Sequence, residues 1–145
     1  MIPSSISAPA NSQLLFIAHA RGYQIYLCRP EGWVLKAPDA VLYDQEGNVI
    51  GKHFAGPTWQ HNNGSQISGK LAAKVDSPDP TAIPWLLLDV TTRAGDGIFS
   101  RVRSIQRINT VGGLPPASAC NDSNREAEHK SPYSADYYFY ARTSF

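Results

Sequence analysis

Histidine and tryptophan are the residues in this sequence best suited to chemistry. His53 lies in the run Gly51-Lys52-His53-Phe54-Ala55-Gly56-Pro57-Thr58-Trp59, so an imidazole and an indole fall close together beside glycines. An imidazole that titrates near neutrality next to an aromatic wall suits a pocket for a small molecule, or an acid–base group acting on one. The plainer alternative is a histidine that hydrogen-bonds a nearby carbonyl and packs a sheet. His19, Trp85, Gln106 and Tyr138 are the other candidate walls. Gln106 and Ser104 would bring polar groups to an otherwise apolar face, where an unpartnered group costs about 1–3 kcal/mol. A metal would require His19, His53, His61 or His129 to converge with a carboxylate such as Asp136, and no local spacing encodes that. No nucleophile elbow, phosphate loop or dinucleotide fingerprint is present, since Gly95-Asp96-Gly97 and Gly112-Gly113 are too short a signal. Neither metal nor cofactor is expected.

Two cysteines, Cys28 and Cys120, complete the inventory. They are too far apart in sequence for a redox pair and too few for a zinc site. A single long-range disulfide and two buried free thiols both remain open; the disulfide is the expectation, because Cys28 ends a strand and Cys120 lies in a polar loop. Formal net charge is +1 and the basic residues are scattered. That excludes an electrostatic footprint for nucleic acid or anionic membrane. Arg101, Arg103 and Arg107 form one local cluster, read as a solvated strand face. The longest apolar runs, Leu14 to Ala20 and Ile83 to Leu88, are far too short to span a bilayer as helices. The opening segment lacks the basic start and apolar run of a signal peptide and reads as the start of a mature or trimmed chain. The sequons Asn63-Gly64-Ser65 and Asn121-Asp122-Ser123 fit secretion.

The elements that would position these residues are strands. At 145 residues, with 42% hydrophobic and 17% charged composition, the chain fits one globular domain over 1–145, with 1–11 a flexible lead-in. Short runs rich in β-branched and aromatic residues are broken by 11 glycines and 11 prolines, which is an all-β pattern. The runs are Gln13 to Ala20, then Gly22 to Cys28 after a turn at Arg21-Gly22. Trp33 to Leu35, Val41 to Asp44, Val49 to Gly56, Gln66 to Val75 and Ile83 to Thr92 follow. Ile98 to Ile108 should place Ile98, Val102, Ser104, Gln106 and Ile108 inward and the three arginines outward, and Ala135 to Arg142 closes the chain. Asn62-Asn63-Gly64 is a tight turn. Asn124 to Lys130 is the one helix candidate. Thr110 to Lys130 is a long irregular segment near the C-terminus, a length that calls for a function or a crosslink. The architecture expected is a single antiparallel β-barrel or β-sandwich of seven to eight strands.

The residues His19-Ala20-Arg21-Gly22-Tyr23-Gln24-Ile25-Tyr26-Leu27-Cys28, with Ala37-Pro38-Asp39-Ala40, Gly51 to Trp59, Ile83-Pro84-Trp85, Ile105-Gln106-Arg107 and Tyr133 to Tyr137, resemble a family of small bacterial and fungal proteins known as domain of unknown function 3455. The resemblance covers nearly the whole chain in order. It implies a secreted or extracytoplasmic protein and transfers no mechanism. The glycine-punctuated strands from Leu42 to Val102 are similar to the small barrels of allene oxide cyclases and dirigent proteins, which hold an apolar small molecule. Three functions follow as expectations: binding of a small apolar or aromatic molecule, a cofactor-free isomerase or cyclase using His53 or Asp136, and an extracellular carbohydrate-binding or protein-interaction module.

Overall fold

A computed structural model of the chain describes residues 2–143. Eight antiparallel strands run through it: β1 (Ser12–Arg29), β2 (Gly32–Tyr43), β3 (Val49–Phe54), β4 (Thr58–His61), β5 (Gln66–Val75), β6 (Trp85–Ala94), β7 (Val102–Gly112) and β8 (Glu128–Arg142). Each pairs with the next in sequence, and β8 returns to pair with β1 from Ser12↔Arg142 to Leu27↔Glu128. The sheet therefore closes into an up-and-down barrel rather than stacking as a sandwich, and closure leaves no strand without a neighbour on either side. Three 3-10 turns, Ser4–Ile6, Ile98–Arg101 and Asp122–Asn124, are the helical residues among those described.

Several strands are longer than the sequence suggests. No turn forms at Arg21-Gly22, because Gly22 lies in mid-strand, where an added Cβ would sit 2.1 Å from the Asp39 carbonyl. This glycine marks close approach of β1 to β2, and glycine serves that purpose as readily as a turn. The two runs around Pro38 are likewise one strand. Pro38 is tolerated because β2 meets β3 only from Ala40 onward, so it sits where β2 has no ladder partner on that side. The helix expected over Asn124 to Lys130 is replaced by the short turn Asp122–Asn124 and the start of β8. The Asn63-Gly64 turn forms as expected between β4 and β5, with Gly64 at φ 98°.

Inside the barrel, small residues of β1 and β2 (Ala18, Ala20, Ala40) face the bulky Tyr137 and Phe139 of β8, and Trp59, Ile67 and Ile105 fill the space between. Phe16 stacks on Phe139 at 4.5 Å and lies 5.4 Å from Phe99, forming an aromatic plug. Phe99 supplies the plug in place of Ile98, which is 39% exposed. Residues 98–101 form a 3-10 turn, so the two-residue alternation of a strand does not apply there.

A second cluster lies on the outer surface. Residues 2–7 run across it, with Ile6 fully buried against Trp85, Leu87 and Ile108. The irregular segment between β7 and β8 folds back onto the β1–β2 hairpin. Cys120 is disulfide-bonded to Cys28 with Cα atoms 5.4 Å apart, the Trp33 indole donates to the Ser118 carbonyl at 2.9 Å, and Arg29 pairs with Glu126 at 3.0 Å.

Candidate functional site

The short β3–β4 hairpin makes a notch in the barrel wall. Its last pair, Phe54↔Thr58, stands next to His53↔Trp59, and His53 is level with Ala40 of β2. The first half of β2 thus runs past the hairpin unaccompanied. Behind this gap is a cavity of about 300 Å³, bounded by Leu35 to Pro38 of β2, the Gly56-Pro57 turn, Leu86 and Leu88 of β6, Gln24, His53, Trp59, Arg107 and Tyr137. Its volume is at the small end of the ~300–1,000 Å³ range of ligand pockets.

His53 and Trp59 form the aromatic wall. Their rings stack at 4.4 Å with planes 19° apart, and Tyr137 lies 5.2 Å from one and 5.6 Å from the other. The cross-strand pairing of β3 with β4 puts them side by side. His53 Nδ1 donates to the Thr58 carbonyl at 2.9 Å, which leaves Nε2 as the acceptor of a neutral imidazole. Burial pushes the His53 pKa down to about 3, opposed by the Thr58 carbonyl and reinforced by the Arg107 charge. Trp59 is 1% exposed, and its indole N–H has no hydrogen-bond partner.

Arg107 reaches this cavity from the interior face, contrary to the outward direction expected of it. The pairing of β7 with β8 slips between Val102 and Ser104. That extra residue reverses the alternation, so Ile105 and Arg107 face Phe139 and Tyr137 inside, while Ser104, Gln106 and Ile108 turn outward. Arg107 donates through Nε at 3.1 Å and Nη2 at 2.8 Å to the Pro84 carbonyl. Burial raises the Tyr133 and Tyr137 pKa values, and the Arg107 charge opposes the rise in both.

The remaining candidate residues lie elsewhere. Gln106 is buried under the N-terminal segment, donating to the Ile6 carbonyl at 2.8 Å and accepting from the Tyr140 hydroxyl at 2.7 Å. Trp85 and Tyr138 belong to that same outer cluster. His19 lies on the outer surface, paired through Nδ1 with Asp136, whose other oxygen accepts from Asn109 at 2.9 Å. A separate groove of about 490 Å³ passes this group. The structure therefore joins His53 with Trp59 and separates both from His19, Trp85, Gln106 and Tyr138. Among the cavity residues that sequence reasoning missed are Gln24, Lys36, Leu86, Leu88, Arg107 and Tyr137. Tyr137 and Gln24 were legible as alternating strand residues, but Arg107 depended on the bulge.

Fold and cavity together define an eight-stranded, disulfide-linked, up-and-down barrel with a small aromatic-walled cavity. The chain belongs to the family described as protein of unknown function (DUF3455), whose model matches residues 9–141. No curated protein matches the chain, and no solved structure does. The likeness to allene oxide cyclases and dirigent proteins gains no support from these comparisons. Among the described residues, no group of three or more His, Cys, Asp or Glu is placed to hold a metal, and no helix is long and apolar enough to cross a membrane.

Proposed function

We propose that this protein is a binding barrel for a small molecule with an apolar body, seated in the His53–Trp59 cavity and held without catalysis. The observation that carries this reading is the cavity of about 300 Å³ walled by a histidine–tryptophan stack and lined by Leu86 and Leu88.

The cyclase or isomerase reading is weaker. It needs His53 or Asp136 as acid or base, but His53 is neutral with Nδ1 committed to Thr58, and Asp136 is engaged by His19 and Asn109 outside the cavity. An interaction module would present its aromatics outward, whereas Trp59, Tyr133, Tyr137 and Phe139 are buried. Export from the cytosol is part of the proposal, supported by a disulfide of the kind that persists in oxidising compartments. We also take residues 1–145 to act as one domain.

The test is a titration with indole and benzyl alcohol, followed by ¹H–¹⁵N spectra. Shifts should centre on the Trp59 indole and the amides of Lys36, Gly56 and Arg107. Leu86→Trp, which fills the cavity, should abolish them. Shifts scattered over the surface, or unaltered by Leu86→Trp, would refute the reading.

A further inference from the structure

We propose that the cavity is a receptor for a small organic acid, with one flat or short apolar body and a single carboxylate held by Arg107. This rests on the binding function proposed above and names its ligand class.

The charge of the cavity wall is the first argument. Its two charged side chains, Lys36 and Arg107, are both basic, and no Asp or Glu lines it. Lys36 is paired with Glu128. Arg107 has no carboxylate partner among the described residues; it bonds the neutral Pro84 carbonyl and lies against the Tyr137 hydroxyl. A carbonyl satisfies two donors but does not neutralise the cation, and a guanidinium carries five donors in a planar fork that matches a carboxylate. An uncompensated charge in a partly desolvated site favours an anion there. The Arg107 charge reaches several interior groups, among them His53, Tyr133 and Tyr137.

The second observation is the apolar surface beside that charge. The apolar remainder of the lining (Leu86, Leu88 and the face of the His53–Trp59 stack) would hold the body of the acid. A volume of about 300 Å³ restricts that body to one ring or a short chain.

Titration of the ¹⁵N-labelled protein at neutral pH with benzoate, and in parallel with its neutral isostere benzamide, tests this. Benzoate should bind at least about tenfold more tightly, equivalent to ~1.4 kcal/mol. It should move the Trp59 indole resonance and leave that of Trp85, an equally unpartnered buried indole in the outer cluster, in place. Its binding should weaken as the acid is protonated at low pH. Arg107→Gln should erase the preference between the two probes. Because that variant also loses the bond to Pro84, the comparison of probes on the unmodified protein decides the matter alone. Equal or tighter binding of benzamide would overturn the acid preference and leave the binding function intact. No binding of benzoate, benzamide or indole at millimolar concentration would overturn both.

Discussion

His53 makes the protein sensitive to acid. Its folded pKa lies near 3, below the usual 6.5, because burial disfavours the imidazolium. Between those values the unfolded chain binds a proton that the folded chain refuses, so stability falls as pH drops from about 6.5 toward 3. The loss should reach a few kcal/mol, at ~1.4 kcal/mol per pKa unit. Urea unfolding at pH 7 and pH 4 measures it. His61, also lowered by burial, adds in the same direction, so the specific check is His53→Gln, which should flatten most of the slope. Trp59 is the larger packing residue. With 1% exposure and contacts to His53, Tyr137 and Phe139, Trp59→Ala should cost about 3–5 kcal/mol through the cavity it leaves. Trp59→Phe should cost far less, since it removes an N–H that has no partner. A midpoint shift for Phe as large as that for Ala would show the indole N–H to be bonded after all.

At the scale of elements, two segments are held by contacts that periodicity does not announce. Residues 2–7 lie over the outer face of β5 to β8, and Ile6→Ala should destabilise by about 2–5 kcal/mol. Trimming the chain before Ser7 should expose Gln106 and the Trp85 face, which an increase in binding of an apolar dye would report. β1 and β2 are equally constrained at Gly22, where a Cβ would meet backbone at 2.1 Å and 2.6 Å. Backbone cannot swing aside as a flexible side chain can. Gly22→Ala should therefore cost at least as much as overpacking a core, about 1–3 kcal/mol, and thermal denaturation would detect it. The sequence placed a glycine here plainly enough. It did not say whether the glycine turned the chain or let two strands touch, because φ freedom and the missing Cβ are both properties of the same residue.

For the whole molecule, the Cys28–Cys120 bridge closes a loop of 92 residues. In the chain-entropy account such a crosslink stabilises by about 4–5 kcal/mol, chiefly by restricting the unfolded chain. The Cys28→Ala/Cys120→Ala double variant should lose an amount of that order in denaturant unfolding while keeping its β-type circular dichroism. An unchanged midpoint would mean that the bonds at Trp33 and Arg29 anchor the segment between β7 and β8 by themselves.

What the sequence determined by itself is what depends on neighbours in the chain. Alternating apolar and β-branched runs set most of the strands, Asn63-Gly64 set its turn, and the short spacing of His53 and Trp59 brought them close, while their cross-strand pairing came from the fold. The pattern of short runs broken by glycine and proline sufficed for the all-β class. The tertiary structure decided everything that depends on which strand lies next to which. It closed β1 on β8, joined Cys28 to Cys120, laid Ile6 over Gln106 and directed Arg107 inward. That last choice follows from one extra residue in the β7–β8 pairing. A strand's side chains alternate with period two, so a single bulge exchanges its faces. The position of the bulge is fixed by packing against a strand that begins more than a dozen residues later in the chain, and no local pattern records it.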